Sequence, residues 1–295
     1  MKRLSALLLC MILSAAALAD GAASARKRAV GSMVVTGHIE VLQDGSAGRY
    51  DIDRSSKLPP AVVQLIAKSI PRWQFEPVAE NGRPVIAKST MSLRVIASPV
   101  AGGKYAVSIS GADFGQEMLK PGASSPTDVP SEKNAPKPSY PPDLVAEHVT
   151  GTVYVLLRIN RAGNIEDATA QQVNLRLAAS DMDMRRYRSQ LALAATSALK
   201  HWTFNIPTTG KHADDGNWFA RVPVDFNIEG NGYGPPGYGE WDVYVPGPIE
   251  SAPWIDSLPK ITDDKLLTEN VDATPAGGSF FSSGGLHLIT KLNGG

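Results

Sequence analysis

Apolar and polar residues alternate along two well-separated stretches. Met91, Leu93 and Val95 form one set and Val222, Val224, Phe226 and Ile228 the other, and a period of two is the signature of a strand with one buried face. Each is preceded by a segment at helical spacing. Val62, Leu65, Ile66 and Ile70 recur along AVVQLIAKSI, which Pro71 stops. Leu191, Ala194, Ala195, Ala198, Leu199 and Trp202 fall on one face of the second helix. Ahead of each helix the pattern predicts two strands parted by turn residues: MVVTGHIEVL and GRYDIDRS around Gln43-Asp44-Gly45, then GTVYVLLRIN and IEDATAQQV around Arg161-Ala162-Gly163-Asn164.

The strand leaving each helix repeats one phrase. Trp73-Gln74-Phe75 reappears as Trp202-Thr203-Phe204 at an offset of 129 positions, each followed closely by a proline. Trp and Phe two apart lie on one face of a strand, so all four rings are expected in hydrophobic core, and the proline ends the pairing. The expected fold class is therefore α+β: two tandem small αβ modules, strand-strand-helix-strand-strand, each an antiparallel sheet packed on a helix, joined by a Pro-rich linker. Gly37 to Trp73 spans 36 residues and Gly151 to Trp202 spans 51, which places about 15 extra residues around NLRLAASDMDMRRYRS, read as an insertion ahead of the helix. Asp181, Asp183, Arg185, Arg186 and Arg188 are read as its solvated surface.

Composition sets the boundaries. Residues 1–19 read as a Sec signal peptide, with Lys2 and Arg3 ahead of an apolar run and small residues at Ala17 and Ala19; the alternative is an uncleaved anchor. A basic tether (20–32, with Arg26-Lys27-Arg28) leads to the first αβ unit at 33–115, in which KYAVSISGADFG adds a strand. The linker occupies 116–138, in a stretch carrying seven prolines from Pro121 to Pro142. The second unit is 139–229. A tail rich in Gly, Pro and aromatics fills 230–295, where WDVYV could add an edge strand and FF with LHLI could form a hairpin.

Charge and chemistry narrow the function classes. The chain has 29 basic and 29 acidic residues, and loss of Lys2 and Arg3 with the leader leaves 27 against 29, without the basic footprint of a nucleic-acid binder. Its single cysteine, Cys10, lies inside the leader, so no disulfide framework is expected. The five histidines are scattered, with H-A-D-D at 212–215 the only compact His/acid group, and no nucleophile elbow, zincin or phosphate-binding glycine motif occurs. No catalytic residue, cofactor or metal is expected, and the chain is read as a non-enzyme.

The segment PSYPPDLVAEHVTGTVYVLLRINRAGNIEDATAQQV, followed by LALAATSALKHWTFNIP and VPVDFNIE, resembles the C-terminal domain of TonB energy-transducer proteins over about 90 residues. The first unit resembles it more weakly, sharing W-x-F-x-P and NGRPV. The resemblance implies a small αβ domain whose edge strand pairs with an extended peptide of an outer-membrane receptor, that is, β-augmentation. Carried over by position, it implies peptide contacts from Pro138, Tyr140 and Pro141 in the lead-in motif and from Phe219, Arg221, Val222, Val224 and Phe226 on the last strand. The expected partner is a segment of an envelope or outer-membrane receptor protein, with homo-oligomers through edge strands as a further possibility and membrane contact only if the leader is retained. The expected setting is the periplasm, with an inner-membrane-anchored transducer as the alternative. In that family a transducer also needs a retained membrane helix and a Pro-rich arm ahead of the domain, whereas here the Pro-rich stretch lies between the units.

Overall fold

A computed structural model describes residues 21–80, 82–114, 130–209, 213–228, 236–255 and 286–292, with the backbone of 280–281. The leader, most of the proline-rich stretch and residues 256–279 lie outside the described residues. The fold is mixed α+β, and every ladder among the described residues is antiparallel.

The first sheet grows from β1 (Val30–Val41), whose β-branched residues alternate between core and surface. A turn at Gln43–Ser46 returns the chain as β2 (Ala47–Ile52), paired with the distal half of β1. Helix α1 (Pro60–Ser69) starts on a proline whose fixed φ suits the first helical turn, and buries Val62 and Ile66. Strand β3 (Ala87–Val100) then pairs with β1 from Gly31 to Val41, and β4 (Lys104–Phe114) pairs with β3 from Met91 onward, the extra strand that KYAVSISGADFG predicts. Trp73, Phe75 and Phe114 meet edge to face in this core, with Phe75 and Phe114 centroids 4.9 Å apart.

The second sheet follows a similar course. Strand β5 (Ser131–Asn134) and the short helix α2 (Pro142–Ala146) lead to β6 (Gly151–Asn160) and β7 (Ile165–Leu175). Helix α3 (Asp181–Leu199) buries Met184, Tyr187, Leu191, Ala195 and Leu199, β8 (Thr203–Asn205) carries Phe204, and β9 (Asn217–Phe226) pairs with the whole of β6. The residues read as an insertion extend β7 and supply the first turns of α3. Ser180 caps that helix by accepting from the Asp183 amide while its hydroxyl donates to the Asp183 carboxylate.

Each W-x-F strand lies between a hairpin turn and a strand from a distant part of the chain. Phe75 donates its amide to Gly45 and Phe204 donates to Gly163, both at 2.8 Å. On the other side Leu288 bridges Phe75, whereas β8 pairs with β5. Residues 131–134, placed in the linker by composition, are thus sheet. The tether is likewise not free: residues 21–27 are helical, Ala25 is buried in the second core, and Arg28 pairs with Asp181 at 2.5 Å.

The tail stitches the two sheets. Trp241 packs on the first core, and β10 (Asp242–Tyr244) covers the near end of β1, the edge strand that WDVYV allowed. Val245 then pairs with Leu175, and Glu250 donates to the Gln171 carbonyl along β7. Strand β11 (Phe280–Phe281) joins β9, and residues 286–292 return to the first core. Among the described residues the FF and LHLI segments therefore pair with different partners, FF with β9 and Leu288 with Phe75, rather than with each other.

Gly45 and Gly163 have φ of +82° and +79°, and a Cβ at either would run into the carbonyl of Phe75 or Phe204. Gly82 has φ of +76° with open space around it. Gly163→Ala and Gly45→Ala are each expected to cost about 1–3 kcal/mol from strain plus collision, and Gly82→Ala only about 1 kcal/mol from strain, read as denaturant-unfolding midpoints.

Candidate functional site: the outer edge of the second sheet

Strand β9 is bonded to β6 along its full length on one side. On its other side, among the described residues, only Ala220 and Arg221 have ladder partners, Phe281 and Phe280. Proline is tolerated inside a sheet where its nitrogen faces an open edge, so Pro223 places the backbone groups of Phe219, Arg221 and Asp225 on that side and leaves a missing donor between them. This side takes the extended backbone of Phe280–Phe281, and β9 is buried from Trp218 to Val224.

The residues predicted for peptide contact divide between two faces of the sheet. Val222, Val224 and Phe226 point into the core. Phe219 lies on the opposite face, stacked on Trp254 at 5.7 Å and packed with Leu156 and Ala252. Arg221 is 2% exposed and donates from Nε to the Gln171 side chain at 2.9 Å, so its guanidinium is committed inside the protein. Tyr140 stands edge-on to Phe226 at 5.2 Å and donates its hydroxyl to the Val149 carbonyl; burial raises its pKa. The carbonyl of Pro141 receives the Leu144 and Val145 amides, starting α2. Pro138 is half-buried just upstream. The structure thus joins Tyr140 to Phe226 and keeps both away from Phe219 and Arg221; what the group shares is the strand backbone.

Beside this edge the two sheets are tied by a residue that the sequence reading passed over. Arg176, at the end of β7, makes a two-pronged pair with Asp242 of β10 at 2.9 and 3.0 Å, and its Nη2 reaches Asp225 of β9 at 3.2 Å and Thr152 at 3.1 Å. Its Nη1 donates to Asn227 at 3.1 Å. Burial works against the charge, and Asp242 and Asp225 outweigh it, so the pKa of Arg176 is raised. A cavity of about 10 Å³ remains among Thr152, Tyr154, Asn174, Arg176, Asp242 and Tyr244, room for about one water molecule. The available signal was an arginine between Leu175 and Leu177, where a half-buried strand should not carry an unpaired charge.

Two further charge groups complete the electrostatics. Arg186 grips Glu147 through both nitrogens at 2.7 and 2.9 Å and Tyr187 donates to it at 2.6 Å, so the carboxyl falls to about 2 and the Tyr187 hydroxyl, partly buried and bonded to that carboxylate, rises to about 12. The cluster read as solvated surface is thus partly committed: Arg188 donates to the carbonyls of Val173, Val245 and Pro246 and holds the tail on β7. His38, Asp51 and Asp53 are the one group of three metal-capable side chains among the described residues, with ligand atoms within 4.8 Å. His38 and Asp51 are both open to solvent, and the Thr36 hydroxyl holds Asp53 at 2.6 Å. His212 lies outside the described residues.

The class defined to this point is a mixed α+β protein of antiparallel sheets with a sheet edge as its candidate site. Compared with protein-family models, with curated proteins and with solved structures, the chain matches none. No described helix is long and apolar enough to cross a membrane.

Arg176→Ala strands two largely buried carboxylates and is expected to cost about 3–5 kcal/mol in global unfolding, with Asp242→Asn costing less because the amide still accepts a hydrogen bond. Glu147 is stabilised in its ionised form, so its contribution is present above its ordinary 4.5 and fades as pH falls toward about 2. The melting-temperature gap between the parent and Glu147→Gln should therefore close between pH 5 and about 2 and stay constant above pH 5.

Proposed function

We propose that the protein is a cell-envelope binding module that takes up an extended segment of an envelope or outer-membrane receptor protein by strand addition at β9. The observation that carries this reading is that the outer side of β9 takes up an extended segment, Phe280–Phe281, which pairs antiparallel with Arg221 and Ala220. Main-chain bonds there would supply affinity, and the surroundings of Phe219 on one face and the Tyr140–Phe226 pair on the other would select alternate side chains.

Three features support placing it with TonB-like proteins. The Pro-x-Tyr-Pro segment leads into α2 and the Gly151 strand, as the resemblance implies. The two sheets share a strand-turn-strand-helix order, glycines at Gly45 and Gly163 that receive the W-x-F strand, and a final strand paired with the first. That correspondence is what a tandem duplication of one αβ module would leave. The leader-like N-terminus fits export to the periplasm. The alternative, a membrane-anchored transducer supporting receptor-mediated transport, is favoured by the apolar run at Leu4–Leu18 and requires that this run be retained.

Fluorescence polarisation with peptides patterned on the receptor motif of TonB partners tests the reading. Binding to the full chain is expected, and Pro223→Val, which restores the missing edge donor, should tighten it by about 2- to 12-fold, the worth of one net hydrogen bond of about 0.5–1.5 kcal/mol. No binding by either protein would remove strand addition of such peptides as its function.

A further inference from the structure

Strand β7 buries two side-chain amides on one face, Gln172 and Asn174, which are 5% and 2% exposed. The tail fixes the orientation of both. Gln172 Nε2 donates to the Gly247 carbonyl at 3.0 Å, and the Gly247 amide donates to Asn174 Oδ1 at 3.1 Å. Gly247 thus presents an acceptor to the first amide and a donor to the second, so flipping either side chain would set acceptor against acceptor or donor against donor. The close approach requires glycine, because a Cβ at Gly247 would lie 2.3 Å from the Val173 carbonyl oxygen.

With its oxygen committed to Gly247, Asn174 is left with a buried Nδ2 that finds no acceptor among the described residues. A donor removed from water is rarely left unmet in a folded protein. Asn174 also lines the cavity of about 10 Å³ beside Arg176, together with Thr152 and Tyr154 of the second sheet and Asp242 and Tyr244 of β10. In the same lining, each Asp242 oxygen takes one Arg176 donor, Oδ1 from Nε at 2.9 Å and Oδ2 from Nη2 at 3.0 Å, and a carboxylate oxygen has a further lone pair to offer. The space is about one water molecule in size. Arg176 in its wall disfavours a metal cation and Asp242 disfavours an anion, so the occupant that fits is a small neutral molecule able both to accept and to donate.

We propose that one ordered water is bound in this cavity, accepting from Asn174 Nδ2 and donating to the Asp242 carboxylate, as part of the seam between the two sheets. It joins two anchors of the tail into one network, running from the Gly247 amide through Asn174, the water and Asp242 to Arg176. The inference is independent of the strand-addition reading.

Two measurements on the full chain test it, with one variant. In solution, the Asn174 side-chain amide protons should show a direct dipolar cross-peak to water in nuclear and rotating-frame Overhauser spectra. In a crystal structure, one water oxygen should lie within about 3.2 Å of both Asn174 Nδ2 and an Asp242 oxygen. Asn174→Leu keeps the side-chain volume and removes the donor, and its crystal structure should lack that water. Absence of the cross-peak in the parent would overturn the proposal. So would a cross-peak without the water in the crystal, since the hydroxyl of Thr152 or Tyr154 would then be relaying the signal. Asn174 Nδ2 bonded directly to a protein acceptor, or an ion in the cavity, would overturn it as well, and a water that stays in place in Asn174→Leu would show that the amide does not hold it. If the leucine variant fails to fold, the two measurements on the parent still decide.

Discussion

Arg176 sits where β7, β9 and β10 meet, and the arrangement of the two sheets depends on its charge being satisfied. A guanidinium removed from water is tolerated only with its donors engaged, and here Asp242, Asp225, Thr152 and Asn227 engage them together. Asp242 belongs to the strand that completes the first sheet, and Asp225 to the last strand of the second. Satisfying one cation therefore fixes the distance and orientation between two sheets that share no continuous ladder. Arg94, 4% exposed in the first sheet, adds to the tie by donating to the hydroxyl of Tyr244, two residues beyond Asp242. The tail between Asp242 and Val245 is thus held by charge on one side and by the Leu175 backbone on the other.

That constraint explains why the tail is ordered where its composition suggests otherwise. Glycine and proline keep residues 236–255 from forming long elements, so the segment gains order from outside itself. Tyr238 reaches the Asp53 carbonyl and lies under Arg54 at 3.9 Å, while Arg188 holds Val245 and Pro246. Each anchor belongs to a different element, and the chain between them follows the surface both sheets provide. The short W-x-F strands show the same dependence. Three residues cannot stand as a sheet, so each recruits a strand from a distant stretch, Ser131–Asn134 for Phe204 and residues around Leu288 for Phe75.

What the sequence displayed follows from what kind of interaction it was. Periodicity is local, and it located the strands around Met91 and Val222, the helix at Val62–Ile70 and the core rings of both W-x-F phrases. Turn chemistry did the same at Gly45 and Gly163. The partners of Arg176 lie 24 to 66 positions away in the chain, and no spacing rule connects them. Periodicity marks α3 only from Leu191 onward, because its first turns carry Asp181, Asp183, Arg185 and Arg186; those residues look like solvated loop until Ser180 is seen as the cap. At the candidate edge, alternation marked Phe219 to Phe226 as a strand but could not say that Arg221 turns inward to Gln171, because the buried amide partner lies 50 residues away.

An open edge is a hazard, because unpaired backbone groups invite pairing with other chains. On β9, Pro223 removes a donor, Phe280–Phe281 pairs with the centre of the strand, and the residues from Trp218 to Val224 are buried. The edge is thus handled in two ways at once: proline takes a donor out of the ladder, and a segment of the same chain fills its centre and keeps the strand from water.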